Sequence, residues 1–441
     1  MNGMIGSRAP SVTSREQWRT QFGFILASAG SAIGFGNFWR FAYLTGMNGG
    51  AAFVLVYLIS VVLIGIPIMI AEFLIGQFTR FSIVGAFKKL AGNRKVWAGL
   101  GLIGIVASFV TLSYYAVIGG WVVHYLAQAL TGHLPAAADE AVSAFEQLSG
   151  SPWPQIIWYT LFSLMAASIV ARGVRAGIER YSRGLILLFL VLLVGLFIYA
   201  LSLPGAAESF KFMFKFDLSK LNSTAAMLAV GHTFFSLSLG QGIMIAYGSY
   251  LPKKITIPFA SVITAIIDSV TALLAGIIIF AIVFSFGLAP NSGTGLAFIT
   301  LPPLFAAMTA GKLLGALFFF LLMIAGITSA VSMLEVVAIY LMDEWKVNRP
   351  TATWGSAIAI YLFGLIWTVN DISLADKIAG GYLLILGALA VAILIGWLVP
   401  VKTLAQTLGT NTTNGWLAGF RWLNRYLIPA VLIFLLISGT L

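Results

Sequence analysis

"SAIGFGNFWRF", residues 31–41, lies inside an apolar run, yet it holds two glycines, a serine, an asparagine and an arginine. Glycine weakens a helix interior, and an arginine in hydrocarbon is costly unless it is paired or hydrated. A chain interrupted at membrane depth must be buried in protein or line a wet cavity. Breaking a helix frees carbonyls on one side and N–H groups on the other. The carbonyls suit a cation, and the N–H groups at the start of a half-helix suit a carboxylate. One break therefore makes room for a zwitterion together with a small cation.

The setting of this stretch is a membrane. The 441 residues are 60% hydrophobic and 9% charged, against roughly 25% charged in a soluble domain. An all-α integral membrane protein follows, with lipid bilayer as its solvent. At about 20 residues per crossing, the chain offers about eleven spans, near 22–46, 51–79, 96–130, 154–171, 180–203, 222–251, 255–287, 312–342, 353–370, 376–400 and 418–440. A net charge of +11 would suggest nucleic acid in a soluble protein; here the positive-inside rule accounts for it. With the N-terminus cytoplasmic, 19 of the 25 basic residues, Arg8 among them, fall inside. Lys211, Lys215, Lys220, Lys312 and Lys377 fall outside, Arg40 stands apart within the membrane, and the C-terminus is external. Residues 1–20 are polar and lack the apolar core of a signal peptide, so they read as a cytoplasmic tail. Cysteine is absent, which excludes disulfides and thiolate metal sites. Three histidines without H-E-x-x-H argue against a zinc protease, and no nucleophile–base pair near a histidine suggests an enzyme. No Walker-type phosphate loop appears either, so uphill transport would draw on an ion gradient or a partner.

A second interruption, "FFSLSLGQG" (234–242), sits in the sixth apolar run. Both interruptions end in G-x-G: Gly34-Phe35-Gly36 and Gly240-Gln241-Gly242. Five spans separate them, so the two helices run in opposite directions, as in an inverted repeat of five plus five. Paired interruptions are the best sequence pointer to a transporter's binding site; the alternative is glycine serving only close helix packing. The boundaries are a tail over 1–20, one repeat over 21–203, an extracellular loop over 204–221, the inverted repeat over 222–400 and an eleventh helix within 401–441. Residues 288–311 read as an extracellular loop with a short helix, and 131–153 as an ordinary external loop.

Four stretches carry a resemblance: "REQWRTQFGFILASAGSAIGFGNFWRF" (15–41), "SYYAVIGGW" (113–121), "FFSLSLGQGIMIAYGSY" (234–250) and "AGITSAVSMLEVV" (325–337). Together they resemble the neurotransmitter:sodium symporter family, in particular its prokaryotic LeuT-type amino-acid transporters, and the match runs from about residue 15 to 400. The resemblance implies a LeuT-like fold that imports a neutral amino acid, or a close amine-bearing analogue, with two sodium ions and no organic cofactor. It implies a first sodium site at Ala32, the amide oxygen of Asn37, Ser236 and Asp268, completed by the substrate carboxylate. A second would use Gly30, Ile33, Ala325, Thr328 and Ser329. Oxygen-only ligation suits a hard cation, although a Thr-Ser pair can also bond back to its own helix. The carboxylate would meet the N–H groups of Phe35 and Gly36 and the hydroxyl of Tyr115, and the ammonium would meet the carbonyls of Ala32, Phe235 and Ser236. The side-chain pocket would comprise Ser31, Phe35, Thr111, Phe235, Ser238, Gln241, Ser329 and Met333. Arg40 with Asp376 would form an outer gate, and Arg15, Trp18, Tyr250 and Asp343 a cytoplasmic one.

The chain departs from the family pattern at two positions. Asp268 stands where the family often has asparagine, and Ala272, one turn on, stands where some chloride-independent members carry an acid. The expectation is that Asp268 supplies the negative charge itself and transport needs no chloride. Gln241 stands where LeuT-like members carry a bulky aromatic. With Thr111 and Ser31 it makes the pocket more polar, while Phe35 and Met333 keep it partly apolar, which leaves aliphatic, aromatic and small polar substrates open. A proton-coupled or osmolyte carrier on the same scaffold, and a sensor without flux, remain as alternatives. The lack of cysteine and of long termini points to a prokaryotic inner membrane. Glu335, acidic and near the core, has no assigned partner.

Overall fold

The computed structural model describes residues 15–217, 222–290 and 295–439. Arg8 and Lys220, and with them most of the 1–20 tail and the end of the 204–221 loop, lie outside the described residues. Among the described residues there are nine uninterrupted helices long and apolar enough to cross a membrane, from Ala51–Thr79 to Gly415–Ser438. The first span is a pair, Gln21–Ala32 and Gly36–Met47, bent by 52°. Ser223–Ser236 and Ile243–Ser249, parted by residues 237–242, fill the sixth place.

Capping explains several of the boundaries. The side chains of Thr20, Asn222 and Asn348 accept N–H groups in the first turns of the first, sixth and ninth spans. Proline opens the fourth, seventh and ninth spans, where its missing N–H costs nothing. Pro67, in the middle of Ala51–Thr79, would normally break a helix. The chain absorbs it with a wide turn at Val61–Gly65, closed by Ile66 N–H on the Val61 carbonyl.

Burial separates inner from outer helices. The eighth span, Gly311–Glu344, has 83% of its apolar window buried, whereas the fifth, Val174–Leu201, has 28%. The fifth and eleventh present Val191, Ile198, Phe434 and Ile437 outward, as helices facing hydrocarbon do. The eighth packs along the third, Lys95–Thr131, and against Gln21–Ala32. The two breaks thus sit inside a shell of continuous helices and away from lipid. Gly240 ties the second break to the tenth span, Ser373–Leu398. Its φ is +82°, and a Cβ there would collide with the Leu384 carbonyl oxygen.

One connecting segment differs from expectation. Residues 131–153 are not an ordinary loop, because Ala138–Gly150 is helical. Glu140 accepts the N–H of Ala136 at 2.9 Å. Ala141 and Leu148 are buried, and the Phe145 ring stacks on Phe298, so a helical spacing of apolar residues within a polar segment drives the helix. Phe298 belongs to the short helix Leu296–Ala307, which falls within the expected 288–311 segment.

Candidate substrate and cation site

The first break starts where Ile33 turns extended (φ −69°, ψ 109°) after Ala32. Three of its backbone groups are held by distant side chains. Phe35 N–H donates to the Tyr115 hydroxyl at 3.1 Å. The Ser31 and Ile33 carbonyls accept from the Ser329 hydroxyl at 3.0 and 3.1 Å. Gly34 is required at this crossing, since a Cβ would stand 2.7 Å from the Tyr115 hydroxyl and 2.8 Å from that of Ser329. The Phe35 ring stacks on Tyr115, with centroids 4.4 Å apart. Gly36 lies under Phe235, whose ring a Cβ would meet at 3.0 Å.

The second break carries three residues with positive φ: Ser238 at 55° and Gly240 and Gly242 at 82°. The left-handed region disfavours side chains, and two glycines make the path accessible. The Ser238 hydroxyl donates to the Ser31 carbonyl at 2.8 Å and so joins the two breaks directly. The Gly240 N–H donates to Glu72 at 2.7 Å.

Asn37, Ser236 and Asp268 meet in one buried cluster. Asn37 Nδ2 is 2.8 Å from Asp268 Oδ1, and the Ser236 hydroxyl is 2.8 Å from Asp268 Oδ2. The Tyr57 hydroxyl adds a donor to Oδ2 at 3.2 Å. The Asn37 amide oxygen, expected towards the cation, instead accepts the Gly34 N–H at 2.9 Å. A half-turn of the carboxamide exchanges its two ends. At the other expected cation position Gly30 faces Ile186 and Thr328, since a Cβ on Gly30 would stand 2.9 Å from Ile186 and 3.3 Å from Thr328 Cβ. The Thr328 hydroxyl bonds back to Ile324 and Ala325 of its own helix at 3.0 and 3.1 Å. Ile33 and Ser329 join the same crossing through their hydrogen bond.

The pocket residues differ in how they are engaged. Ser31 donates to Ser332 at 2.8 Å, and Met333 is buried. Thr111 and Gln241 are buried on the third span and the second break. Phe235 is half-buried beneath Arg40, whose guanidinium lies 4.6 Å from the ring centroid.

Ion pairs stand at both ends. Arg40 reaches Asp376 at 3.1 Å, and Tyr114 donates to the same carboxylate oxygen at 2.9 Å. The pair lines a cavity of about 530 Å³ that runs from Phe35, Tyr115 and Phe235 at the break out to Trp39, Trp121 and Asp371. Asp371, in the loop at its mouth, is held below the usual carboxylate range by hydrogen bonds from the Ser373 hydroxyl and N–H. At the opposite end Arg15 pairs with Asp343 at 3.2 Å, and Ser82 N–H donates to Asp343 at 2.5 Å. Trp18 is buried, and its indole N–H donates to the Tyr247 carbonyl at 2.9 Å. The Tyr250 ring lies under Arg15 (5.1 Å), but its hydroxyl goes elsewhere, to Glu335 at 2.5 Å. Glu335 in turn pairs with Arg349 at 2.8 Å.

Sequence reasoning missed Tyr57, Glu72, Tyr114, Ser332 and Arg349. Glu72 is the only acid in the second span, and a lone acid in an apolar run was the signal that could have found it. Arg349 was legible only as a basic residue, because its acid lies across a turn in the neighbouring span.

Two broken spans back to back, with polar groups converging on both, define a helical membrane transporter of the broken-helix type. The Sodium:neurotransmitter symporter family model matches residues 15–147 and 142–441, and the chain belongs to that family. It is 34% identical to the uncharacterized sodium-dependent transporter YhdH of Bacillus subtilis, over 96% of this chain and 98% of that one. It is 33% identical to an uncharacterized sodium-dependent transporter of Haemophilus influenzae, over 96% and 98% respectively. The crystal structure of MhsT in complex with L-phenylalanine superimposes with a TM-score of 0.90 at 40% identity, covering 96% of this chain and 100% of that chain. The fold is LeuT-like, and the protein is a multi-pass, sodium-dependent transporter of this family.

Proposed function

We propose that the protein is a symporter that imports a neutral amino acid with two sodium ions by alternating access, without chloride. The N-terminus is cytoplasmic, the membrane is a cell (inner) membrane, and the Arg40–Asp376 end faces outward. The observation that carries this reading is the junction of the two breaks. Phe35 N–H and the Tyr115 hydroxyl stand at the start of one half-helix, where a carboxylate is stabilised. The carbonyl-bearing ends of Gln21–Ala32 and Ser223–Ser236 stand beside it, where an ammonium or a cation is stabilised. The complex of MhsT with L-phenylalanine, an amino acid on the same fold, supports the same class.

The first sodium ion binds among Ala32, Asn37, Ser236 and Asp268, with the substrate carboxylate as a further oxygen. For this the Asn37 carboxamide turns its oxygen from Gly34 towards the ion, exchanging a donor for an acceptor beside Asp268. The second ion takes the crossing of Gly30, Ile33 and Ala325 with Thr328 and Ser329, whose hydroxyls rotate from their present acceptors. Sodium and substrate share a shell, so each raises the other's affinity by the same factor. The ionised Asp268 supplies the charge that a chloride would otherwise bring.

Uptake of radiolabelled amino acids into proteoliposomes, with and without a sodium gradient, tests the reading. Sodium-driven accumulation is expected. Accumulation driven by a proton gradient alone would identify the proton-coupled alternative, and binding without flux would identify a sensor.

A further inference from the structure

The pocket contains five polar side chains, and three of them are already engaged by the protein. Ser31 donates to Ser332 at 2.8 Å, Ser238 to the Ser31 carbonyl at 2.8 Å, and Ser329 to the carbonyls of Ser31 and Ile33. The remaining two are not engaged. Neither Thr111 Oγ1 nor Gln241 Oε1 has a hydrogen-bond partner of good geometry, although the residues are only 3% and 4% exposed; the hydroxyl beside Thr111 is that of Tyr114, which is already spent on Asp376.

The two residues sit on elements that meet. Ser108, Thr111 and Tyr115 are spaced i, i+3 and i+7, which places them on one face of the third span. The top of this face meets the first break, through the Tyr115 hydroxyl on Phe35 N–H. Its lower part meets the second break, where the Ser108 hydroxyl holds the Gln241 carbonyl at 2.9 Å. Gln241 is fixed by its main chain between Gly240 and Gly242, both in the left-handed region, so its side chain alone is free to serve a ligand. Thr111 lies about one helical turn, ~5.4 Å, below Tyr115. That is the reach from an α-carboxylate to the end of a medium-sized side chain.

Buried polar atoms are almost always paired in native proteins, and a ligand that supplies the partner recovers what their isolation costs. An apolar side chain would leave both atoms unmet, and neither group can neutralise a charged one. We infer that the transported amino acid carries an uncharged hydrogen-bonding side chain, a hydroxyl or carboxamide, which Thr111 and Gln241 bind between them. This rests on the amino-acid reading above and names the substrate class within it. Phe35 and Met333 supply the apolar wall for the methylene carbons of such a side chain.

Isosteric pairs separate hydrogen bonding from size. In proteoliposomes with a sodium gradient, kcat/KM is measured for threonine against valine, asparagine against leucine and tyrosine against phenylalanine. The polar member of at least one pair is expected to be favoured about tenfold or more, as for sites built to hydrogen-bond their substrate. The combined variant Thr111→Val, Gln241→Leu is expected to shift that preference to the apolar member. Equal or apolar preference in all three pairs of the wild type overturns the inference, and this arm needs no variant. A variant that transports yet keeps the polar preference overturns it as well. Absence of sodium-driven uptake of every amino acid would overturn the parent reading and this one together, a result distinct from an apolar preference.

Discussion

The amide nitrogen of Asn37 stands 2.8 Å from the carboxylate of Asp268, although the two residues are 231 positions apart. A broken first span and a continuous seventh span, Ile257–Ser285, are thereby joined by a buried polar pair at the proposed first cation site. Asp268→Asn keeps the shape and removes the charge. Hydrogen bonds to charged groups are worth about 1.5–3 kcal/mol, so the sodium concentration for half-maximal uptake should rise roughly 10- to 100-fold. Titration of uptake with sodium at constant ionic strength measures this. An unchanged half-activation would remove Asp268 from the ion's surroundings.

The same carboxylate underlies the proposed independence from chloride. Replacing sodium chloride by sodium gluconate should leave wild-type uptake unchanged, whereas in Asp268→Asn chloride should restore part of the lost rate. A large fall for the wild type in gluconate contradicts the proposal, whatever the variant does.

How much of the molecule is legible without coordinates is clearest at single residues. Gly34, Gly36, Gly240 and Gly242 announce the breaks, because glycine pairs beside serine and asparagine are expensive inside hydrocarbon and repeat at matching places in two spans. The eleven apolar runs are legible from length and hydropathy alone, and most of their ends fall within a few residues of the helices. What is not legible are partnerships between distant segments. Nothing in the sequence order connects Tyr250 with Glu335 and Arg349, and resemblance alone groups Tyr250 with Arg15 and Asp343. The orientation of the Asn37 amide is equally hidden, since it depends on which neighbour reaches it first. The helix at Ala138–Gly150 escapes a reading of the sequence because its inward positions, the buried Ala141 and Leu148 and the half-buried Phe145, are diluted among polar residues.

Gly240 should tolerate no side chain. Its φ of +82° is strained for any L-residue, and a Cβ would press on the main-chain oxygen of Leu384, which cannot move aside as a side chain could. Gly240→Ala should abolish uptake and lower the yield of folded protein in detergent. Gly92, also at positive φ but with nothing within 4 Å of a Cβ, is the control: Gly92→Ala should show only the backbone cost. Size-exclusion profiles and uptake rates of the two variants compare them directly, and equal behaviour would remove the steric argument.

The Arg40–Asp376 pair should act mainly on rate. Both side chains are partly exposed, 17% and 32%, so the pair adds only about 0.2–1 kcal/mol as a static bridge. It lines the 530 Å³ cavity together with Phe235, which Arg40 covers, as the proposed outer gate would. Asp376→Asn should therefore lower the maximal uptake rate severalfold while shifting the melting temperature by no more than a few degrees. A large loss of stability with normal transport would assign the pair to the scaffold.

Glu335 and Arg349 make the opposite case, because here removal of one partner is worse than removal of both. Glu335 is fully buried, Arg349 is 13% exposed, and the Tyr250 hydroxyl completes the cluster. Glu335→Leu leaves a guanidinium buried without its acid, and breaking a buried pair from one side typically costs about 3–5 kcal/mol. Replacing both, Glu335→Leu with Arg349→Met, removes the uncompensated charge and should recover much of that loss. Thermal unfolding of the purified wild type, the single variant and the double variant should thus place the double variant between the other two. The cluster also ties Tyr250, beside Trp18 and Arg15, to the eighth and ninth spans, so the double variant should loosen this end of the molecule. Its transport rate should change more than its stability does. If instead the double variant is no more stable than the single one, the Arg349 charge is not what Glu335 compensates, and the cluster holds the fold through Tyr250 alone.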